Sequence, residues 1–470
     1  MPCKPIIAAV ATALAVAPVG AFGAPTVTPA PAQGADPAAP LAGDWDGELD
    51  TGALKLRLTL HVRDDAGRPV ATFDSPDQNA MGLPADLTLQ DGRVHLQVRG
   101  AAGAFDGALE PGGQKLEGTW SGRPLAFVRR AAGAVAPVRN RPQTPVKPYP
   151  YREEEVAYDS PAAHVRLAGT LTLPPGPGPF PAVVLVAGSG PQTRNETVLG
   201  HAIFLVLADH LTRHGIAVLR YDKRGLGQST GDYRSATSED FAADAEAGVA
   251  FLRTRPEIDH RRIGLVGHSE GGIVAPIVAG RDPKVAFVVL MAGSGVPGDR
   301  IIMAQAQAIA AASGAPPAAV AAGAAVQRRV LDAVMGAKDQ ASAAEAARKV
   351  LAEAGAPPAR IDAELPALTS PWYRFFLTYD PAPALRRLRI PVLALIGSKD
   401  LQVPADQNIP ALRAALKDDR RAEVEELPGL NHLFQTAGTG APSEYGDIEE
   451  TISPRALDTV TNWILNQGRR

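Results

Sequence analysis

The chain has 470 residues, 45% of them hydrophobic, with 47 basic and 50 acidic side chains and a formal net charge of −3. That balance excludes a strongly basic polyanion-binding surface, so nucleic acid is not an expected partner. The length allows two or three domains, and the apolar content is enough for a sizeable core.

The N-terminus reads as an export signal. Lys4 supplies a weak positive start, Ile6 to Ala17 is an apolar run too short to span a bilayer, and small residues around Ala21-Phe22-Gly23 offer a cleavage site after Gly23. Residues 1–23 are therefore expected to be removed, leaving an exported protein, periplasmic or secreted, with no stable membrane anchor. Cys3 is the one cysteine and leaves with the signal, so no disulfide, thiol chemistry or cysteine metal site is expected. Residues 24–40 are rich in Pro and Ala and read as a linker.

Residues 41–130 read as a small all-β unit. Leu54, Leu56, Leu58, Leu60 and Val62 alternate with Lys55, Arg57, Thr59 and His61, as a half-buried strand requires. Asp91-Gly92 between two alternating runs is a hairpin signal. His61 and His95 fall on the wet faces. This unit is expected to form an antiparallel barrel or sandwich, with a binding role as an alternative to a purely structural one.

Residues 131–152 hold five prolines and read as a second linker. From 153 to 470 strands alternate with helices: Val165–Leu173, Ala182–Ala187, Ile216–Tyr221, Ile263–Val266, Val285–Met291, Val392–Ile396 and Val424–Leu427 are the strand candidates, and Ser238–Thr254 is an amphipathic helix. The pattern predicts an α/β fold, with a mostly parallel central sheet and helices on both faces. Residues 297–379 lack strand signals and predict a helical cap insertion. The cap ends in an aromatic cluster in which Trp372, Tyr373 and Phe376 either anchor the cap or line a substrate pocket.

The stretch Arg261-Arg-Ile-Gly-Leu-Val-Gly-His-Ser-Glu-Gly-Gly-Ile-Val274 runs from a strand into a helix through Gly267-His268-Ser269-Glu270-Gly271. A tight strand-to-helix turn of this G-x-S-x-G form needs small neighbours and lifts the serine hydroxyl to a helix N-terminus, where developing negative charge is favoured. A serine needs a histidine to take its proton and a carboxylate to orient that histidine. Asp400, after the strand Val392–Ile396, and His432, after the strand Val424–Leu427, supply them in the order Ser, acid, His, each past a strand end at one sheet edge. Two backbone N–H groups are needed for an oxyanion hole. One is expected from Glu270, the other from the loop Ala187-Gly188-Ser189-Gly190, with Ser189 favoured and Gly190 next. The loop lacks a P-loop's Gly-Lys-Ser/Thr ending, so phosphate binding is not expected.

Residues 153–467 resemble the α/β-hydrolase superfamily, and within it bacterial secreted serine esterases similar to dienelactone hydrolases and serine aminopeptidases. The resemblance rests on GSGPQTRNE (188–196), RYDKRGLGQSTGD (220–232), GHSEGG (267–272), GSKDLQVP (397–404) and PGLNHLFQ (428–435). It implies an α/β-hydrolase fold, with Ser269 as nucleophile, Asp400 as acid and His432 as base. It also implies hydrolysis of small-molecule carboxylic esters through an acyl-enzyme, with no cofactor and no metal. The β-unit, with Asp74-Ser75-Pro76-Asp77-Gln78, resembles an accessory domain found ahead of some such esterases.

Two departures from the commonest lipase pattern stand out. Alanine precedes Gly188 where histidine is usual, and Glu270 follows the serine where a small or apolar residue is usual. Glu270 is expected either to turn into the helix N-terminus or to attract a substrate amine. Asp222-Lys223-Arg224-Gly225, past the end of another strand, is expected to be a loop whose Asp222 pairs with Arg224 or caps backbone amides, with a charged wall of the active site as the alternative. His268, beside the nucleophile but pointing elsewhere, is read as packing, and His201, His210 and His214 as surface or packing residues, because their spacing is wrong for a metal site. The leading reading is an esterase for short to medium acyl chains. An aminopeptidase, amidase or thioesterase on the same machinery, and an exported binding protein with a degenerate hydrolase body, are the alternatives.

Overall fold

A computed structural model describes residues 41–467, apart from 52–53, 66–67, 79, 100–102, 136–138 and 162–163. The predicted signal and first linker lie outside the described residues. The chain divides into two compact units. The first is the N-terminal β-unit, with which residues 355–364 group; the second is the remainder from Arg139 onward.

The first unit is a closed antiparallel barrel of eight strands: β1 (Gly43–Asp50), β2 (Lys55–Asp65), β3 (Arg68–Ser75), β4 (Ala80–Gln90), β5 (Arg93–Val98), β6 (Ala104–Leu109), β7 (Lys115–Trp120) and β8 (Arg123–Arg129). The period-2 pattern does its expected work in β2, where Leu56, Leu58, Leu60 and Val62 are buried. Phe105 and Phe127 meet edge to face at 5.3 Å in the core. The β4–β5 turn puts Asp91 and Gly92 at φ +51° and +75°, the doubly left-handed turn that matches strand twist. On the polar face of β2, His61 lies between two carboxylates, with Nδ1 2.8 Å from Asp44 and Nε2 2.9 Å from Asp74.

The second unit is a mixed eight-stranded sheet. Its strands are β9 (Arg152–Ser160), β10 (Val165–Leu173), β11 (Phe180–Val186), β14 (Ala217–Tyr221), β15 (Ile258–His268), β16 (Val288–Met291), β17 (Val392–Gly397) and β18 (Ala422–Leu427), with a small ribbon of β12 (Thr197–Val198) and β13 (His201–Ala202) beside it. The order is β18-β17-β16-β15-β11-β14-β10-β9, with β10 antiparallel to both its neighbours, β9 and β14, and every other pair parallel. The buried strands read as apolar runs in the sequence; β9, REEEVAYDS, does not, because it is an edge strand whose charged side chains face water. Helices α1 (Ile203–Arg213), α2 (Ser238–Leu252) and α3 (Gly271–Arg281) follow β13, β14 and β15. Residues 298–378 carry only helices among the described elements: α4 (Gly298–Ala312), α5 (Pro317–Gly336), α6 (Gln340–Glu353), α7 (Pro358–Leu368) and α8 (Pro371–Thr378). The chain closes with α9 (Ala382–Arg387) before β17, α10 (Ala405–Leu416) after it, and α11 (Pro454–Asn466).

The chain leaves β11 for β14 on one side and returns through β15 on the other. The strand order therefore reverses at β11, and the loops after β11 and β15 diverge there, where open α/β sheets bind ligands.

Candidate active site

Ser269 sits between β15 and α3 at φ +53°, a left-handed conformation that costs a non-glycine residue about 1 kcal/mol or more. The residues two before and two after it must be glycine. A Cβ on Gly267 would lie 2.0 Å from the Gly271 carbonyl oxygen, and one on Gly271 would lie 1.9 Å from the Val186 carbonyl oxygen. The turn is pinned by the Ser269 N–H, which donates to the Met291 carbonyl at 2.8 Å.

Asp400 follows β17. Its Oδ1 accepts the N–H groups of Gln402 and Val403, both at 2.8 Å, and its Oδ2 lies 2.8 Å from Nδ1 of His432. Both side chains are almost wholly buried. An ionised carboxylate only accepts, so His432 donates from Nδ1 and keeps Nε2 as the free acceptor. Asn431, whose part the sequence did not signal, shapes this loop: its Oδ1 accepts the N–H groups of Leu433 and Gln435 at 3.0 Å each. Gly397 admits the loop, since a Cβ there would meet the Leu430 carbonyl oxygen at 2.1 Å.

His268 is buried and does more than fill space. Its Nδ1 lies 2.9 Å from Oε1 of Glu196, and its Nε2 lies 3.0 Å from the backbone carbonyl of His432. Burial works against its charge, yet the Glu196 carboxylate and the His432 carbonyl hold its pKa above the ordinary histidine value. The same Glu196 oxygen accepts the Gly188 N–H at 2.6 Å. One imidazole thus joins the serine turn, the histidine loop and the loop after β11. His201 is also fully buried, held by Thr451 and the Tyr445 carbonyl, and burial pushes its pKa down to about 4.

One expectation is met in part and another is corrected: Asp222 caps backbone amides, as expected, but takes a different ion-pair partner. Asp222 does not pair with Arg224. It takes Arg194, with Nη2–Oδ2 at 2.8 Å and Nε–Oδ1 at 3.1 Å, and it also caps the N–H groups of Arg194 and Gln228. Arg224 reaches Asp244 instead, with two contacts of 2.8 Å. Glu270 does not turn into the helix N-terminus. Its carboxylate is buried and takes Lys223 Nζ at 3.0 Å, Ser238 Oγ at 2.6 Å and Trp372 Nε1 at 2.5 Å.

The aromatic cluster of α8 divides accordingly. Trp372 comes to the nucleophile turn through Glu270 and stacks on Phe376 at 5.3 Å. Phe376 packs on Gly298 at the start of α4, and Tyr373 is 1% exposed. That degree of burial fits the anchoring alternative for Tyr373. Among the described residues, the backbone N–H groups of Ser189 and Glu270 have no protein partner, whereas that of Gly188 is taken by Glu196. No group of three His, Cys, Asp or Glu side chains among the described residues is placed to hold a metal ion, and no described helix is long and apolar enough to cross a membrane.

A sheet whose order reverses at β11, with a strained serine after β15 and a His–Asp pair after the last two strands, is the architecture of α/β-hydrolases. The chain belongs to the Alpha/beta hydrolase family, whose model matches residues 183–441. It is similar to the Esterase EstD of Thermotoga maritima, 28% identical over 331 residues, covering 68% of this chain and 69% of that protein. It is also similar to the Thiohydrolase apmlB of Arthrinium phaeospermum, 42% identical over 88 residues, which is 18% of this chain and 27% of that protein. A solved structure, the Pyrococcus furiosus esterase Pf2001, matches 71% of this chain and 99% of its own at 14% identity and a TM-score of 0.43. The family membership and the likeness to EstD make the protein a hydrolase.

Proposed function

We propose that the protein hydrolyses carboxylic esters of short to medium acyl chains, with Ser269 as nucleophile, His432 as general base and acid, and Asp400 as its orienting partner. The observation that carries this reading is the buried His432–Asp400 bond of 2.8 Å past the ends of β18 and β17, at the sheet edge where Ser269 follows β15. Ser269 Oγ attacks the ester carbonyl carbon as its proton passes to His432 Nε2, and the carbonyl electrons move onto oxygen. The N–H groups of Ser189 and Glu270 receive that oxyanion. The C–O bond to the alkoxide then breaks, and the alkoxide takes the proton from His432. Water repeats the sequence on the acyl-enzyme and releases the acid.

The Glu270 carboxylate argues against an aminopeptidase. It is already engaged by three donors and buried, so it offers nothing to a substrate amine. A thioesterase is the second reading, favoured by the likeness to a thiohydrolase over residues that make up 18% of the chain. The test is turnover of p-nitrophenyl esters from acetyl to palmitoyl, an acyl thioester and aminoacyl p-nitroanilides, by wild type and Ser269→Ala. Ester turnover that vanishes in the variant is expected; anilide turnover alone, or activity that survives in Ser269→Ala, refutes the reading. Export is part of the same proposal, and the mass of the mature chain, starting at Ala24, checks it.

A further inference from the structure

We propose that Lys223, paired with Glu270, is a positioning residue that builds the oxyanion hole. This rests on the serine-hydrolase reading and assigns it a component beyond the triad and the two N–H donors. Lys223 follows β14, at the same sheet edge, and is 4% exposed. Its ammonium donates to the Gly188 carbonyl at 2.7 Å, lies 3.4 Å from the Gly190 carbonyl, and meets Glu270 Oε2 at 3.0 Å. The face of Phe241 covers it at 4.3 Å.

The consequence follows from the peptide plane. The Gly188–Ser189 bond is not among the cis peptides, so the Gly188 C=O and the Ser189 N–H point in opposite directions. Holding the carbonyl against Lys223 aims the Ser189 N–H away from it. The Gly188 N–H is held separately by Glu196 at 2.6 Å, so Gly188 is gripped on both its N–H and its C=O. Without these struts, a loop with glycine at 188 and 190 has little to stop that peptide from rotating. The ammonium also polarises the peptide it binds, which strengthens the Ser189 N–H as a donor.

Glu270 completes the device, because its backbone N–H is the other oxyanion donor while its side chain holds Lys223. One ion pair therefore sets both donors relative to each other. Trp372 of α8 donates to the same carboxylate at 2.5 Å, so the cap helix is tied to the pair.

The test uses Lys223→Met, which keeps chain length and removes the charge, and the double variant Lys223→Met/Glu270→Gln, which leaves no unpaired buried carboxylate if the single change prevents folding. Two rates are read: kcat and KM on p-nitrophenyl butyrate, and phosphonylation of Ser269 by a fluorophosphonate. In phosphonylation Oγ bonds to phosphorus, fluoride leaves and His432 takes the proton, while the same N–H groups receive the phosphoryl oxygen. Both rates are expected to fall about 10²-fold, in the range for loss of one oxyanion donor, with KM within about threefold of wild type. Labelling and kcat at the wild-type level in the folded double variant overturn the proposal, and so does a rise in KM that accounts for the whole loss. A wild type that Ser269→Ala does not differ from in labelling refutes instead the serine-hydrolase reading beneath it.

Discussion

Asp400→Asn is the sharpest test of the site, because the structure dictates which way the new amide must face. Asp400 Oδ1 accepts two backbone N–H groups, from Gln402 and Val403, at 2.8 Å each. Placing the amide NH₂ there would set donors against two donors, so the asparagine oxygen must keep that position. The NH₂ is then forced toward His432 Nδ1, where the carboxylate oxygen stood at 2.8 Å. A donor facing Nδ1 makes Nδ1 the acceptor and moves the ring proton to Nε2. His432 can then no longer take the serine proton. The change is isosteric, so fold and KM should hold, while kcat falls by about 10⁴, equivalent to about 5.5 kcal/mol of activation free energy. Steady-state kinetics on p-nitrophenyl butyrate, with near-ultraviolet circular dichroism as the fold control, measure this. A folded variant with kcat within tenfold of wild type refutes the tautomer argument and the role of Asp400 with it.

Gly271→Ala places a Cβ 1.9 Å from the Val186 carbonyl oxygen, so it should destabilise the second unit by about 3 kcal/mol or more, seen in urea unfolding; full stability would show that the turn relaxes. Arg224→Met strips Asp244 of its buried partner and should cost about 3–5 kcal/mol, much of which Arg224→Met/Asp244→Leu should restore; additive losses in the two steps would contradict this. His61 in the barrel has a raised pKa: burial opposes its charge, but Asp74 and Asp44 outweigh it. Its stabilisation is therefore complete below the unfolded value of 6.5 and lost as pH rises through the higher folded value. The barrel's thermal transition should fall over that window in wild type and stay flatter in His61→Gln, which differential scanning calorimetry across pH 5–9 checks.

The parts of this protein legible along the chain are those set by local geometry. Alternation in β2 states which face is buried, because side chains on a strand repeat every two residues. The glycines around Ser269 state a sharp turn, because nothing larger fits there. Asp400 and His432 stand out because each lies just past a strand end, in the chain order serine, acid, histidine, and the structure does bring those two into contact. The edge strand β9 escapes this reading, since a strand that faces water carries no apolar run to betray it.

What the chain order does not state is which charged groups meet. Asp222 takes Arg194 and leaves its near neighbour Arg224 to Asp244; Glu270 takes Lys223 and Trp372; Glu196 takes His268. With 47 basic and 50 acidic residues, proximity in sequence selects no partner. Selection comes from the strand order, which sets β11 between β14 and β15 and so brings the loops after those three strands to one place. The nucleophile turn is thus a property of five consecutive residues. The struts that hold its surroundings are a property of the sheet, because a buried charge settles on whichever partner the packed strands deliver, its desolvation leaving no alternative.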